Sequence, residues 1–226
     1  MASEGSERSV ESEIVVRGIG QVRVLPDRAA LRVEVDGDGA SRDEAYEQAA
    51  PLAAAVDRVL ESHADRLARV VTAALAVQPK TRWRRGESVR TGWRASRVSL
   101  LDVTDFSRLG DLFAELAAAG GAVQGPTWSV EPTNPAHDEA RRLAAADARR
   151  RAENYAEALG LRIAGVAWVS EPGLRPGTNH GPPMMRSMAV SAGAVESAMA
   201  DEVIDVSPEE MTLDTTVEAA FTIAPA

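Results

Sequence analysis

Residues 28–50 read RAALRVEVDGDGASRDEAYEQAA and contain the pattern of a strand followed by the pattern of a helix start. Leu31 and Val33 belong to an apolar series that alternates with polar residues, which is the period of a half-buried strand. Ser41 and Glu44 have the spacing of a capping box, in which each side chain accepts a hydrogen bond from a free backbone N–H at the start of a helix. The segment therefore predicts a strand followed directly by a helix.

The residues before this segment continue the strand pattern. Val22 and Val24 alternate with polar residues, and Pro26-Asp27 supplies residues typical of a turn. We therefore expect the two strands on either side of this turn to form a hairpin. Residues 1–13 are small and charged without an apolar period, which predicts a disordered tail.

The residues after it predict four more elements. Strands are indicated over residues 67–77 and 92–103, and an apolar spacing of three and four predicts a helix over 106–121. A further strand is expected over 123–130. The order within residues 28–131 is thus β-α-β-β-α-β, the ferredoxin-like arrangement.

The longest helix is predicted from Asn134, its N-cap, to Gly160. Strands are expected over 163–169 and 211–223, and a long mobile loop over 171–200, which is rich in Gly, Pro, Ser and Met. The inward stripe of the helix is expected to consist mostly of methyl groups, with the members Ala140, Ala144, Ala148, Ala152, Tyr155 and Leu159.

Together these elements predict an α+β fold. We expect a mixed sheet with helices packed on it, in which the ferredoxin-like core is extended by the long Ala-rich helix and further strands. Residues 14–226 are expected to form a single domain, since the length suits one large buried core.

Composition excludes several classes of protein. The chain has 226 residues, 25 Lys and Arg against 34 Asp and Glu, a net charge of −9 and no Cys. A general polyanion binder, a disulfide scaffold and a thiolate metal site are therefore not expected. No run reaches the roughly 18 apolar residues of a membrane span, so no membrane insertion is expected. The polar start predicts a cytoplasmic protein, or a periplasmic or exported one if Met1 is not the native start.

The motifs that carry chemistry are weak. Gly18-x-Gly20 lacks the third glycine and the following helix of a dinucleotide site, so it indicates close backbone packing. The three His residues are far apart and have no ligand spacing. The sequence therefore predicts no catalytic residue, no metal site, no cofactor and no enzyme.

Two segments of opposite charge are more informative. Residues 82–97 contain six Arg against Glu87 alone, a local charge of +5, and predict a hairpin. Residues 196–218 contain eight Asp or Glu and no Lys or Arg, a local charge of −8. Such segments can pair within one subunit or between copies; solvated surface is the alternative for both. The predicted contact residues are Arg82, Trp83, Arg84, Arg85, Arg90, Trp93, Glu209 and Glu210.

Three pieces of the sequence resemble the SIMPL-domain family of bacterial proteins of unknown function, which includes envelope and oxidative-stress-associated members. Residues 16–20, Val-Arg-Gly-Ile-Gly, and 26–29, Pro-Asp-Arg-Ala, are similar to the family's opening V-x-G-x-G and P-D-x-A. Residues 92–95, Gly-Trp-Arg-Ala, stand where the family usually has Gly-Tyr-x-Ala. Residues 139–161 look like the family's long Ala/Arg helix, and the match spans most of 14–223.

The resemblance implies a mixed α+β domain that tends to form homo-oligomers and has no established catalytic machinery. The leading hypothesis is therefore a non-enzymatic SIMPL-domain protein that acts through homo-oligomerisation and contact with an unknown protein partner, in envelope or oxidative-stress physiology. One alternative is a nucleic-acid-binding module that uses the Arg82–Arg97 hairpin, although the acidic remainder of the chain disfavours nucleic acid. Another is a small-molecule-binding protein or enzyme with a cleft beside the long helix.

Overall fold

The computed structural model describes residues 12–84, 86–174 and 207–226, with the backbone but not the side chain of Arg84. Three α-helices and eight strands lie in these residues, so the predicted α+β class is confirmed. The expected tail and the expected mobile loop lie largely outside the described residues and stay predictions.

Contacts divide the chain into two compact units. The first, which we call the inserted unit, comprises residues 25–131 and 207–209. The second, which we call the terminal unit, comprises residues 12–24, 132–174 and 210–226 of the described chain. The expectation of a single domain over 14–226 stays a prediction.

The inserted unit is a five-stranded sheet with two helices. The order along the sheet is β3-β5-β2-β6, β4 also pairs with β5, and every pairing is antiparallel. Its elements are β2 (Arg28–Gly39), α1 (Arg42–Ser62), a 3-10 turn (Ala64–Arg66), β3 (Leu67–Thr72), β4 (Ala76–Arg84), β5 (Glu87–Val103), α2 (Leu109–Ala118) and β6 (Ala122–Ser129).

The start of α1 and the core of the inserted unit follow from residues 28–50. The Ser41 hydroxyl accepts the Glu44 N–H at 3.1 Å, and the Glu44 carboxylate accepts the Ala40 N–H at 2.8 Å, so the predicted cap is present. Leu31 of β2 lies opposite Leu101 of β5. Apolar side chains of both strands are buried with α1 and α2 in one cluster: Ala29, Leu31, Val33, Val35, Ala53, Val56, Leu60, Leu101, Val103, Leu109, Leu112 and Leu116.

The terminal unit is a three-stranded antiparallel sheet with one helix, in the order β1-β8-β7. Its core contains Val16, Ala148, Ala152 and Phe221, which come from three different elements. These elements are β1 (Glu13–Val24), α3 (Pro135–Ala158), β7 (Leu161–Ser170) and β8 (Met211–Pro225).

The two units share a partial topology and the same close packing of a helix on glycines. The runs β2-α1-β3-β5 and β1-α3-β7-β8 each have the order strand, helix, strand, strand, and the last strand of each run lies between the other two in the sheet. The first strand of each carries a Gly-x-Gly against alanines of the helix. A Cβ on Gly18 would lie 2.6 Å from Ala148 N, and one on Gly37 would lie 2.7 Å from Ala49 N. Only glycine permits such a close approach of helix and strand.

Three predictions about the fold are wrong. The strands around the Pro26-Asp27 turn do not form a hairpin, because β1 pairs with β8 and β2 with β5 and β6. The expected single mixed sheet is two sheets in which every described pairing is antiparallel. In α3, Tyr155 and Leu159 are 60% and 67% exposed, and Ala156 is buried instead. A methyl group at that position lets the helix keep the close approach set by its other alanines.

Candidate functional site

The strands β4 and β5 extend beyond the rest of their sheet. Residues 93–103 of β5 pair with β2, whereas residues 87–92 pair only with β4 among the described residues. Residues 80–84 and 87–92 therefore form a two-stranded projection, which we call the ribbon. At about 3.3 Å per residue its length is roughly 15–20 Å. The described side chains from residue 80 to residue 91 are exposed.

Two of the six arginines of residues 82–97 are paired with carboxylates of the same unit. Arg97 is on the buried face of β5, where its guanidinium donates to Asp57 at 2.7 and 2.9 Å and to the Ala53 carbonyl at 2.7 Å. Arg94 pairs with Asp36 at 3.0 Å. The unneutralised charge that the structure describes is therefore that of Arg82 and Arg90, near the tip of the ribbon.

The two predicted tryptophans have different surroundings. Trp93 is half-buried beside Ala45, Ala49 and Ala95. Its ring lies 5.2 Å from the guanidinium carbon of Arg42 and 5.4 Å from that of Arg90, so cations approach it from α1 and from the ribbon. Trp83 is 73% exposed. Of the two aromatic side chains, only that of Trp83 is free to meet a partner.

The register of the ribbon places side chains on two faces. Trp83 lies opposite Ser88, and Thr81 lies opposite Arg90, so these four share one face. The next pair along the ladder, Arg82 and Val89, is on the other face, and Val89 is 47% exposed. Each face near the tip thus presents one exposed apolar side chain and one unpaired arginine.

The base of the ribbon is attached to β2 by an ion pair. Lys80 of β4 donates to the carboxylate of Asp38. This hydrogen bond, with a further contribution from the charges of Lys80 and Arg94, holds the pKa of Asp38 below its usual value. The pairing fixes the position at which the ribbon leaves the sheet.

The predicted acidic contacts are only partly described. Glu209 and Glu210 directly precede β8 and are both exposed. Residues 196–206 of the acidic segment lie outside the described residues, as do Arg85 and the side chain of Arg84. Neither Glu209 nor Glu210 has an ion pair within the parts of the chain that the structure describes.

Asp147 is a residue whose role the sequence did not indicate. Asp147 and Arg151 have the i,i+4 spacing typical of an exposed ion pair on a helix, yet Asp147 is only 8% exposed. Its carboxylate accepts the Ile19 N–H at 3.0 Å and Arg151 Nε at 2.7 Å, and also pairs with Arg150. The Ile19 hydrogen bond is the main cause of a pKa for Asp147 below its usual value. Sequence carries no signal for this contact, because its partner is a backbone amide.

The inserted unit also has an open groove between α1 and α2. Its volume is about 410 Å³. The Glu115 carboxylate in its wall accepts a hydrogen bond from the buried His63 ring, with 3.1 Å between Oε2 and Nε2. The lining residues are Ala55, Arg58, Val59, Ser62, Glu115, Ala118 and Ala119. The cleft expected beside the long helix is occupied where β1 and α3 meet, because Gly18 and Gly20 leave no space between them.

Other chemistry is not indicated by the described residues. No group of three or more His, Cys, Asp and Glu side chains within residues 12–84, 86–174 and 207–226 could hold a metal ion. Over the same ranges, no helix is long and apolar enough to span a membrane. The best-defined candidate site is therefore a projecting surface for contact with another molecule.

These features define the class as an α+β protein with a projecting basic ribbon. The family model described as SIMPL, protein of unknown function (DUF541), matches residues 14–221. The chain belongs to the SIMPL family, and the resemblance found in the sequence is confirmed.

Relatives and solved structures add little about activity. The chain is 26% identical over 199 residues to uncharacterized protein YggE of Escherichia coli K12, which covers 87% of this chain and 79% of that protein. A Shigella flexneri protein of the same name gives the same figures. An uncharacterized conserved protein from Listeria innocua has a TM-score of 0.24, with 11% identity and coverage of 91% and 92% of the two chains. A hydrolase from the same organism has a TM-score of 0.23, with 13% identity and the same coverage. Scores this low carry no argument about fold or chemistry.

Proposed function

We propose that this SIMPL-domain protein is not an enzyme and acts through homo-oligomerisation and contact with protein partners. The observation that carries the proposal is the ribbon, on which Arg82 and Arg90 are exposed and have no carboxylate partner in the described residues. A two-stranded ribbon is marginally stable without further contacts. Its projection from the sheet is therefore best explained by a contact that it makes elsewhere.

The acidic segment of a second copy is the partner we propose for the ribbon. Residues 196–218 carry −8 without any Lys or Arg, and their two described acidic residues before β8, Glu209 and Glu210, are exposed. Complementary charge of this kind accelerates association and selects the partner. Two unlike patches on identical chains can meet reciprocally in a twofold dimer, or head to tail in a ring or filament.

Charge reversal on the ribbon tests this assembly. Replacing Arg84, Arg85 and Arg90 by Glu is expected to lower the oligomer size in sedimentation at low salt, because like charges then face one another. Combining this triple variant with Glu209→Arg and Glu210→Arg is expected to restore assembly, since the pairing returns with its sign inverted.

The fold is expected to survive these changes. Arg90, Glu209 and Glu210 are exposed, and exposed substitutions typically change stability by only about 0.5 kcal/mol. Circular dichroism provides that control. A wild-type protein that is monomeric at micromolar concentration in low salt, or a triple variant with the wild-type oligomer size, would contradict the proposal.

The alternative functions have no specific observation in their favour. Base stacking needs free aromatic faces, and the ring of Trp93 is approached by Arg42 and Arg90. A gel shift with single-stranded RNA and DNA at low salt tests the nucleic-acid module. A small-molecule site would have to use the open groove at Glu115, since no space is left between β1 and α3.

The topology and the setting are also proposals. The strand order β3-β5-β2-β6 with two helices on one side supports a ferredoxin-like core for the inserted unit. A role in envelope or oxidative-stress physiology rests on the family resemblance, and the cytoplasmic location stays a proposal. Fractionation of the native host, with detection of the protein in each fraction, tests the location.

A further inference from the structure

The strands at the edges of the two sheets are irregular, with one exception. Among the described strands, the edges are β1 and β7 in the terminal unit and β3, β4 and β6 in the inserted unit. The ladders of β3, β4, β6 and β7 each shift in register, and β4 and β6 also contain Pro79 and Pro126. Bulges and prolines of this kind hinder an edge strand from pairing with another chain.

The exception is β1, which has neither a proline nor a register shift. It pairs with β8 continuously from Glu13 to Val24. Its side chains that point away from α3 include two exposed apolar ones, Val15 at 60% and Ile19 at 46% exposure. A long, regular edge strand with exposed apolar side chains is a template on which another strand can pair.

The free edge of β1 is covered near its middle by Asp147 of α3. The Asp147 carboxylate accepts the Ile19 N–H at 3.0 Å, and this amide points away from β8. The amides of Arg17 and Gln21, two residues to either side, point the same way and have no acceptor within the described parts of the chain. Asp147 is 8% exposed, and Arg151 Nε donates to it at 2.7 Å, which holds the carboxylate in place.

A carboxylate at this position opposes the addition of a strand in two ways. It occupies the Ile19 N–H, so a carbonyl of an incoming strand finds no free donor there. It also only accepts hydrogen bonds, so it repels the carbonyl oxygens that an incoming strand would bring to the edge. Inward-pointing charged residues protect the edges of natural sheets for these reasons.

We propose that Asp147 protects the free edge of β1 from pairing with another chain. Without this carboxylate, β1 pairs with the β1 of a second copy, because identical edges can meet antiparallel about a twofold axis. The inference goes beyond the proposed function. The contact that Asp147 prevents consists of backbone hydrogen bonds of the terminal unit, and it needs neither the ribbon nor the acidic segment.

Sedimentation velocity of Asp147→Ala tests this protection. The buffer contains about 1 M salt, at which the screening length is roughly 3 Å, so the charged contact proposed for the ribbon contributes little. We expect Asp147→Ala to sediment as a species of about twice the wild-type mass. Alanine is a better helix former than aspartate, so α3 is expected to persist in this variant.

Two controls separate the edge of β1 from other effects of the substitution. Asp138→Ala makes the same change at an exposed position of α3, where the carboxylate accepts from Arg141. Phe221→Leu leaves a cavity in the core of the terminal unit while Asp147 stays in place. Both controls are expected to keep the wild-type mass, although urea denaturation should show that Phe221→Leu is less stable.

Ile19→Pro in the Asp147→Ala background is the most specific variant. Proline has no N–H to offer to an incoming strand, and it is tolerated where the N–H of an edge strand points away from the sheet. The double variant is therefore expected to return to the wild-type mass. In associated Asp147→Ala, hydrogen exchange at Arg17 and Gln21 is expected to be slower than in the wild type, because a second strand then accepts from their amides.

Several results would overturn the proposal. The first is an Asp147→Ala variant that keeps the wild-type mass or is unfolded by circular dichroism. The second is association of Phe221→Leu to the same extent, since loss of stability would then be the cause. The third is a double variant that associates as Asp147→Ala does, or unchanged exchange of the β1 amides on association.

Discussion

Gly18→Ala is expected to unfold the terminal unit or to weaken it severely. The added Cβ would overlap the Ala144 carbonyl oxygen and would lie 2.6 Å from Ala148 N, so the neighbours that must move are backbone atoms of α3. Overpacking a well-packed site typically costs about 1–3 kcal/mol, and a clash with helix backbone belongs at or above the top of that range. Urea denaturation followed by circular dichroism measures the loss.

Gly165→Ala in β7 is the matched control. A Cβ at Gly165 would meet only the Thr222 hydroxyl oxygen at 3.4 Å, which is ordinary contact, and we expect a change of about 0.5–1 kcal/mol or less. Hydrogen exchange with mass spectrometry should locate the damage of Gly18→Ala in β1 and α3. Wild-type protection of those two elements in Gly18→Ala would show that the helix can withdraw from the strand at little cost.

Asp147→Ala is expected to destabilise the terminal unit by about 1.5–3 kcal/mol, the usual contribution of a hydrogen bond to a charged group. The variant leaves the Ile19 N–H without its acceptor. The Ile19 N–H donates to the Asp147 side chain and points away from β8, the only described partner strand of β1. Asp147→Asn keeps an acceptor oxygen, and we expect it to lose less than Asp147→Ala.

In acid, the wild type is expected to lose the stability by which it exceeds Asp147→Asn. The pKa of Asp147 in the folded protein is below its value in the unfolded chain, which is about 3.9. Its contribution is therefore fully present above that unfolded value and is lost as pH falls through the lower, folded value. Urea denaturation of the wild type and of Asp147→Asn should differ at pH 7 and converge in acid. An equal difference at both pH values would show that the charge contributes nothing.

The elements that could be predicted from sequence are those with local causes. The capping box at Ser41 and the alternation of β2 predict a strand followed by the start of a helix, and the structure has both at these positions. The pairing of β1 could not be predicted in this way, because its partner β8 lies at the opposite end of the chain and alternation does not encode a partner. The turn at Pro26-Asp27 therefore predicted the wrong neighbour.

The apolar residues of β5 do not by themselves predict its buried face. Trp93 and Ala95 point toward α1, whereas Val98 and Leu100 lie on the other face of the strand. Arg97 is on the same face as Ala95, because Asp57 and the Ala53 carbonyl satisfy its guanidinium. Leu100 is half exposed. A strand arginine whose partners lie on a helix leaves no trace in strand periodicity.

The candidate site was predicted from the net charge of a segment, and in the structure its main feature is that two strands project from the sheet. Residues 82–97 were correctly recognised as a hairpin, but their six arginines were treated as one patch. Sequence gives no means of separating Arg94 and Arg97, which pair with carboxylates of β2 and α1, from Arg82 and Arg90, which pair with none in the described part of the chain. That separation depends on register, and register appears only when the sheet is assembled.

The pairing of β1 with β8 has a consequence for synthesis on the ribosome. Glu13 pairs with Thr222 and Val24 with Met211, so β1 has no partner until β8 has been synthesised. At roughly 5–20 residues per second, that wait is on the order of ten seconds or more. The inserted unit is nearly continuous in sequence and can fold during this interval, whereas β1 remains an unpaired, alternating segment within reach of chaperones and of other nascent chains. Termination even a few residues into β8 would leave β1 without its partner permanently.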